Sequence, residues 1–228
     1  MKRRVAIFDV DGTIFRSSLL IELVDALIEA HIFPPSTAGE YARAYMRWLD
    51  RKDSYEKYIT DVVRAFRKHI KGVRYSDFIG ISKKVTTLRK DRVYRYTRDL
   101  TRELKKKNYF LLAISNSPKE VVEGFCSRLG FDKTYGRVYE LDEKKRFTGK
   151  FLYEELVSDK ARVFHRAVLK ENLTLLGSVG VGDSEADIAF LNVVERPICF
   201  NPNKKLYDHA RRKRWRIVVE RKDMIYFL

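Results

Sequence analysis

The run Val5-Ala6-Ile7-Phe8-Asp9-Val10-Asp11-Gly12-Thr13 decides how this chain of 228 residues reads. Four apolar, β-prone residues stop abruptly at an acid, the pattern of a buried strand that ends in a loop. Asp9 and Asp11 are two residues apart, so at a strand end they point to the same side. Two like charges buried together are costly unless a cation or a substrate offsets them. Gly12 lets the backbone turn sharply and approach a ligand, and Thr13 adds a hydroxyl.

Outward from this run the periodicity changes twice. From Ser17 to Ala30 apolar residues recur at helical spacing, and Phe33-Pro34-Pro35 ends that helix. Further helices are predicted over 37–49, 54–70 and 75–84. No strand is predicted between Phe15 and Arg89, so residues 15–89 read as an all-α cap inserted into a core made of 1–14 and 90–228. The core alternates: helix 92–107, strand 109–115, helix 118–129, a hairpin of 137–141 with 147–151, and helix 159–170. Strand 178–182, helix 184–194, strand 197–200, helix 203–213 and a last strand 215–219 follow. The fold class is therefore α/β, a doubly wound, Rossmann-like parallel sheet with an inserted helical cap.

In open parallel sheets ligands sit at the carboxyl ends of the strands. Polar clusters fall at these ends: Asp9–Thr13, Ser115-Asn116-Ser117, Gly182-Asp183-Ser184-Glu185-Ala186-Asp187 and Asn201-Pro202-Asn203. Asp183 and Asp187, at i and i+4, share a face if a helix starts at once. Hard oxygen ligands of this kind suit Mg²⁺. Ser115 opens a helix, where a hydroxyl and free N–H groups bind phosphate. Lys160, after Ser158-Asp159, stands at a helix start, where the macrodipole disfavours a cation. That placement points to a phosphate or carboxylate partner.

In order and spacing these clusters resemble the haloacid dehalogenase superfamily, in its phosphoserine-phosphatase-like branch. Asp9–Thr13 matches the first motif, Ser115 the second, Lys160 the third, and Gly182-Asp183 with Asp187 the fourth. Residues 146–150 resemble the hairpin that precedes the third motif. The resemblance implies that Asp9 is a nucleophile forming an aspartyl-phosphate. It implies Asp11 as general acid and base. Mg²⁺ would be held by Asp9, Asp183 and the carbonyl of Asp11. Thr13, Ser115, Asn116 and Lys160 would bind the phosphoryl group, with Asp187 and Ser184 supporting from behind. Departures concern the substrate. Ser18 stands where phosphoserine phosphatases carry a Glu, Ser115-Asn116-Ser117 replaces Ser-Gly-Gly, and Ala186 replaces an Asn. Arg64 and Arg67 are the cap candidates for a substrate carboxylate. The resemblance thus implies a small phosphomonoester other than phosphoserine.

Composition bounds the alternatives. Hydrophobic residues make up 45% of the chain, ample for a core, while charged residues reach 34%. Cys126 and Cys199 form neither a redox pair nor a zinc pattern, and read as buried thiols in a reducing compartment. The basic N-terminus precedes too short an apolar run for a signal peptide, and no stretch approaches the roughly 18 apolar residues of a spanning helix. A cytoplasmic, soluble protein is expected. Lys and Arg number 47 against 31 Asp and Glu, a net charge of +16. The last 28 residues alone hold nine basic and three acidic residues. Nucleic acid or an anionic surface is therefore a secondary partner, with Arg92–Arg98 as a conceivable stacking platform. Gly180-Val181-Gly182 would place Glu185 at the third glycine of a dinucleotide fingerprint, where it repels pyrophosphate. No P-loop motif occurs. A phosphoacceptor domain leaves Asp11 and the cap unexplained, and a phosphotransferase of the same family shares all the motifs. The four histidines are scattered. Trp48, Tyr41, Tyr45, Tyr55, Tyr58 and Phe66 read mainly as cap packing.

Overall fold

The computed structural model describes residues 2–153 and 159–228, so Ser158 lies outside the described residues. Arg4–Asp9 forms β1, whose side chains alternate between the two faces of the sheet. Ala6 and Phe8 enter one apolar cluster, and Val5 and Ile7 the other. The remaining parallel strands are β2 (Phe110–Pro118), β3 (Lys133–Leu141), β5 (Thr174–Gly182), β6 (Arg196–Phe200) and β7 (Arg216–Arg221). Two antiparallel strands, β4 (Phe147–Leu152) and β8 (Met224–Phe227), close the edges. The order is β4-β3-β2-β1-β5-β6-β7-β8. Chain direction across the sheet reverses at β1, which pairs in parallel with both β2 and β5. The crevice for a ligand in such a sheet lies at this reversal.

Helices cover both faces. On the side of Val5 and Ile7 pack α7 (Lys160–Lys170), α8 (Ile188–Leu191) and α9 (Lys204–Lys213), through Phe164, Phe190, Leu191 and Leu206. On the side of Ala6 and Phe8 pack α5 (Arg95–Lys106) and α6 (Lys119–Cys126), through Leu104, Val121, Val122 and Phe125. Between β1 and α5 the chain forms α1 (Leu19–Glu29), α2 (Gly39–Leu49), α3 (Tyr55–Ile70) and α4 (Tyr75–Leu88). These four helices share one apolar cluster with the sheet face. Phe15 meets Phe125 at 5.2 Å, Phe66 meets Tyr139 at 5.3 Å and Phe78 meets Phe147 at 4.9 Å. Edge-to-face aromatic pairs of this kind add to the area they bury. The β3–β4 hairpin serves as the platform on which α3 and α4 rest.

Three elements differ in make-up from the sequence expectation, while β2, β3, β5 and α4 each run three or four residues beyond their expected bounds. Residues 184–194 form a 3₁₀ turn, Glu185–Asp187, and the short α8 in place of one helix. Asp187 turns its carboxylate back onto the amides of Asp183 and Ser184, which tightens the turn. The predicted helix 118–129 ends at Cys126 and continues as a 3₁₀ turn to Leu129. The predicted last strand is followed by β8, which pairs with β7 from Val218–Phe227 to Arg221–Met224. Among the described residues, no helix is long and apolar enough to cross a membrane. Cys126 and Cys199 are both buried and unpaired.

Candidate active site

Asp9 ends β1, Ser115 lies near the end of β2, and Asp183 follows Gly182 at the end of β5. The parallel register therefore gathers them at one edge. Asp9 is 4% exposed. Its Oδ1 accepts from Lys160 Nζ at 2.6 Å, while its Oδ2 is buried with no hydrogen-bond partner. Lys160, the first residue of α7, also donates to Asp187 Oδ1 at 2.6 Å. Asp159 caps α7 by accepting from the amides of Ala161 and Arg162, so the lysine stem is free to run inward. One carboxylate oxygen from each of Asp9, Asp183 and Asp187 lies within 4.8 Å of the other two.

Two glycines make this closeness possible. Gly12 has φ +82°, and a Cβ there would stand 2.2 Å from Asp183 Oδ2. A Cβ on Gly182 would stand 2.5 Å from that of Asp187. Only glycine lets the two loops approach this far.

The electrostatics follow from crowding. Burial pushes the Asp9 carboxyl up to about 7, against the pull of Lys160 and with the push of Asp187 and Asp11. Asp183 is raised well above the usual range by burial, then by the charges of Asp9 and Asp187. Burial opposes the Lys160 ammonium, yet the charges of Asp187 and Asp9 outweigh it and hold the amine above its ordinary value. Four crowded carboxylates, Asp9, Asp11, Asp183 and Asp187, are thus offset among the described residues chiefly by Lys160, a balance that a divalent cation would improve. The close approach of the Asp9 and Asp183 carboxylates and the all-oxygen donor set fit Mg²⁺. Asp187 is a poor ligand candidate despite its proximity. Its Oδ1 is taken by Lys160, and its Oδ2 accepts from Asp183 N at 3.0 Å, Ser184 N at 3.1 Å and Ser184 Oγ at 3.3 Å.

Asp11 is held differently. Its Oδ1 accepts from the Leu19 amide at 2.5 Å, and its Oδ2 accepts from Ser115 Oγ at 2.5 Å and Ser117 Oγ at 2.9 Å. Helix α3 reaches the site at its first turn. Glu56 lies 3.7 Å from Lys205, which bonds Glu185 at 2.7 Å. Although Tyr55 is 41% exposed, desolvation at its hydroxyl end and the charges of Asp11 and Asp183 push that hydroxyl above its ordinary pKa. Tyr55 packs on Trp48 at 5.3 Å, and Trp48 stacks on Tyr58.

The family profile of haloacid dehalogenase-like hydrolases matches residues 6–192, from β1 to the end of α8. The chain belongs to this hydrolase family. Within it the chain groups with the phosphoserine-phosphatase-like branch. It is 26% identical over 219 residues to the phosphoserine phosphatase SerB1 of Mycobacterium tuberculosis, covering 93% of this chain and 69% of that protein. It is 23% identical over 210 residues to the phosphoserine phosphatase of Archaeoglobus fulgidus, covering 92% of this chain and 56% of that one. In fold it is similar to a Bordetella pertussis Tohama I protein of unknown function, with TM-score 0.73 at 18% identity, over 95% of this chain and 98% of the other. It is also similar in fold to a phospho-aspartyl intermediate analogue of phosphoserine phosphatase, with TM-score 0.63 at 19% identity, over 98% and 96% of the two chains.

In this family member the residues singled out by sequence do not all converge. Asp9, Lys160, Asp187, Ser184 and the Asp183 amide form one hydrogen-bonded and ion-paired network, and Asp11 with Ser115 forms a second whose charge acts on Asp9 and Asp183. Thr13 is buried with its hydroxyl unpartnered. Asn116 is exposed, and its Oδ1 accepts from Arg137 at 3.3 Å, so its side chain turns away from Asp11. Ser18 is buried as the N-cap residue of α1. Arg64 is exposed and pairs with Asp61, whereas Arg67 lies over the Phe151 ring at 4.3 Å, with Arg137 over the same ring at 5.0 Å. Ser117 and Tyr55 are site neighbours that sequence reasoning did not select. A serine beside a helix-opening proline reads as a cap, and a tyrosine among cap aromatics reads as packing.

Proposed function

We propose that this hydrolase is a Mg²⁺-dependent phosphomonoesterase that works through an aspartyl-phosphate on a small phosphorylated substrate. The observation that carries this reading is the buried, unpartnered Oδ2 of Asp9, beside an oxygen that Lys160 already holds. A carboxylate with one oxygen pinned by an ammonium and the other bare is an oriented nucleophile. Asp9 attacks phosphorus, a P–O bond to Asp9 forms and the bond to the leaving oxygen breaks. Asp11 delivers its proton to that oxygen, then takes a proton from the water that hydrolyses the acyl phosphate. Ser115, Lys160, Thr13 and the Asn116 amide hold the phosphoryl oxygens. Asp187, supported by Ser184, keeps Lys160 aimed. Mg²⁺, when bound by Asp9, Asp183 and the Asp11 carbonyl, supplies charge neutralisation for the transferring phosphoryl group.

The substrate is a phosphomonoester other than phosphoserine. Ser18 is 3% exposed and offers no carboxylate to an amino group. We assign residues 15–89 as the cap that closes over the substrate. The buried thiols fit a cytoplasmic setting. The basic stretch Arg211–Arg214 is exposed on and just beyond α9, and supports a secondary contact with nucleic acid or an anionic surface. That contact should be salt-sensitive, and no retention on nucleic acid at physiological salt would dismiss it.

The test is hydrolysis of an aryl phosphate, then of sugar phosphates, nucleotides, phospho-amino acids and phospholipid head groups. Turnover should need Mg²⁺, stop with EDTA and vanish in Asp9→Asn. Metal-independent turnover, or an active Asp9→Asn, defeats the mechanism. Selective phosphoserine hydrolysis defeats the substrate assignment.

A further inference from the structure

The end of β2 reads Ile114-Ser115-Asn116-Ser117-Pro118, and Ser115 and Ser117 are both buried while Asn116 is exposed. Ser117 is 2% exposed. Its Oγ donates to Asp11 Oδ2 at 2.9 Å and accepts from the Leu20 amide at 3.2 Å, and its own amide donates to Ser115 Oγ at 2.9 Å. The single proton of this hydroxyl and one of its two lone pairs are therefore spent on the Asp11 loop and the first turn of α1.

A hydroxyl has one proton to donate. In the structure Ser115 and Ser117 both donate to the same oxygen of Asp11. A phosphoryl group that takes the Ser115 hydroxyl removes one of these donors. The Leu19 amide then remains on Oδ1, and Ser117 alone remains on Oδ2. We infer that Ser117 is the positioning residue for Asp11, holding the acid in place while Ser115 turns to the substrate; this rests on the phosphatase reading above.

The displacement of Ser115 also leaves a site on Oδ2 beside the phosphoryl group. The proton that Oδ2 carries there passes to the leaving oxygen as the P–O bond breaks, and Asp11 becomes a carboxylate. A hydrogen bond from Ser117 to that carboxylate is charge-assisted and stronger than one to the neutral acid. Ser117 therefore stabilises the transition state more than the ground state. A leaving group that needs no proton gains nothing from this. A phenolate with electron-withdrawing groups departs unassisted, whereas an alkoxide does not.

The test compares kcat/KM, which reports leaving-group departure, across phosphomonoesters from nitrophenyl to simple alkyl esters. Ser117→Ala should lose roughly 10- to 100-fold on alkyl esters, the scale of one hydrogen bond to a charged group. On nitrophenyl phosphate the loss should stay within about threefold. Ser117→Thr, which keeps the hydroxyl, should restore the alkyl activity, and its isostere Ser117→Val should not. The Thr and Val pair keeps the comparison valid if Ser117→Ala folds poorly. A uniform loss across leaving groups, or equal activities of Thr and Val variants, overturns the inference while wild-type turnover still supports the phosphatase. A wild type that hydrolyses no phosphomonoester defeats both.

Discussion

Gly12 and Gly72 form a matched pair. Their φ angles are +82° and +83°, so alanine meets the same left-handed backbone strain at both. That strain is worth about 1–2 kcal/mol. The surroundings differ. A Cβ on Gly72 meets nothing within 4 Å, while one on Gly12 meets Asp183 Oδ2 at 2.2 Å. Asp183 must swing away, because its backbone is tied by Asp187 Oδ2 to its amide and by the Asn203 amide to its carbonyl. In metal-free protein that swing relieves repulsion with Asp9, so the two variants should melt close together. For a chain of this size each 1 kcal/mol lowers Tm by about 2–4 °C. The difference emerges with Mg²⁺. At a hundred times its dissociation constant a ligand of the native state adds about 2.7 kcal/mol, here about 5–10 °C. Wild type and Gly72→Ala should show this gain, and Gly12→Ala should lose it together with hydrolysis. Thermal melts with and without Mg²⁺ decide the matter. Full Mg²⁺ stabilisation of Gly12→Ala refutes the placement of the cation between Asp9 and Asp183.

Lys160→Met strands two buried carboxylates, Asp9 and Asp187, and should cost about 3–5 kcal/mol in denaturant titrations; a near-native midpoint contradicts the ion-pair assignment. Asp9 and Asp183 are raised in the folded state, so between pH 4 and 7 the native chain binds more protons than the unfolded one. The stability of chelator-treated protein should therefore fall as pH rises through that window, and Mg²⁺ should flatten the dependence. Melts that rise with pH in EDTA count against the cluster's charge balance. Lys205→Ala removes an exposed tie between Glu185 and Glu56, and should leave the thermal midpoint nearly unchanged while raising KM. An unchanged KM with a large loss of stability would mark it as structural instead.

Much of this site is legible in the sequence because its residues sit at strand ends and on short loops. There a few residues of sequence fix position, as Asp9, Ser115 and Asp183 show. What escaped reading depends on long-range partners. β8 was not expected because a strand of four residues with Met224, Tyr226 and Phe227 exposed lacks a buried face. Its existence follows from pairing with β7, which no local pattern announces. The helix expected over 184–194 is cut short because Asp187 spends its carboxylate on the loop before it. Asn116 and Ser117 look equivalent as polar residues, and only strand alternation separates the one that faces Asp11 from the one that faces Arg137.

The same contacts that aim the acid also orient the helical insertion. Ser18 is the N-cap of α1, yet its side chain makes no capping bond. The first two amides of α1 are instead satisfied by Asp11 Oδ1 and Ser117 Oγ. Helix α1 therefore starts where the catalytic loop and β2 place it, and a shift of the helix must move Asp11. A second tie runs from Glu185, two residues past Asp183, through Lys205 to Glu56 at the start of α3. The insertion thus touches residues adjoining the acid cluster at both of its approaches, through the hydrogen-bonded start of α1 and through an exposed, weak ion pair at α3. On the proposed mechanism, substrate selection by the insertion and proton delivery by Asp11 would be one mechanical problem, and substitutions at Ser18, Leu19 or Glu56 should alter turnover without touching phosphorus.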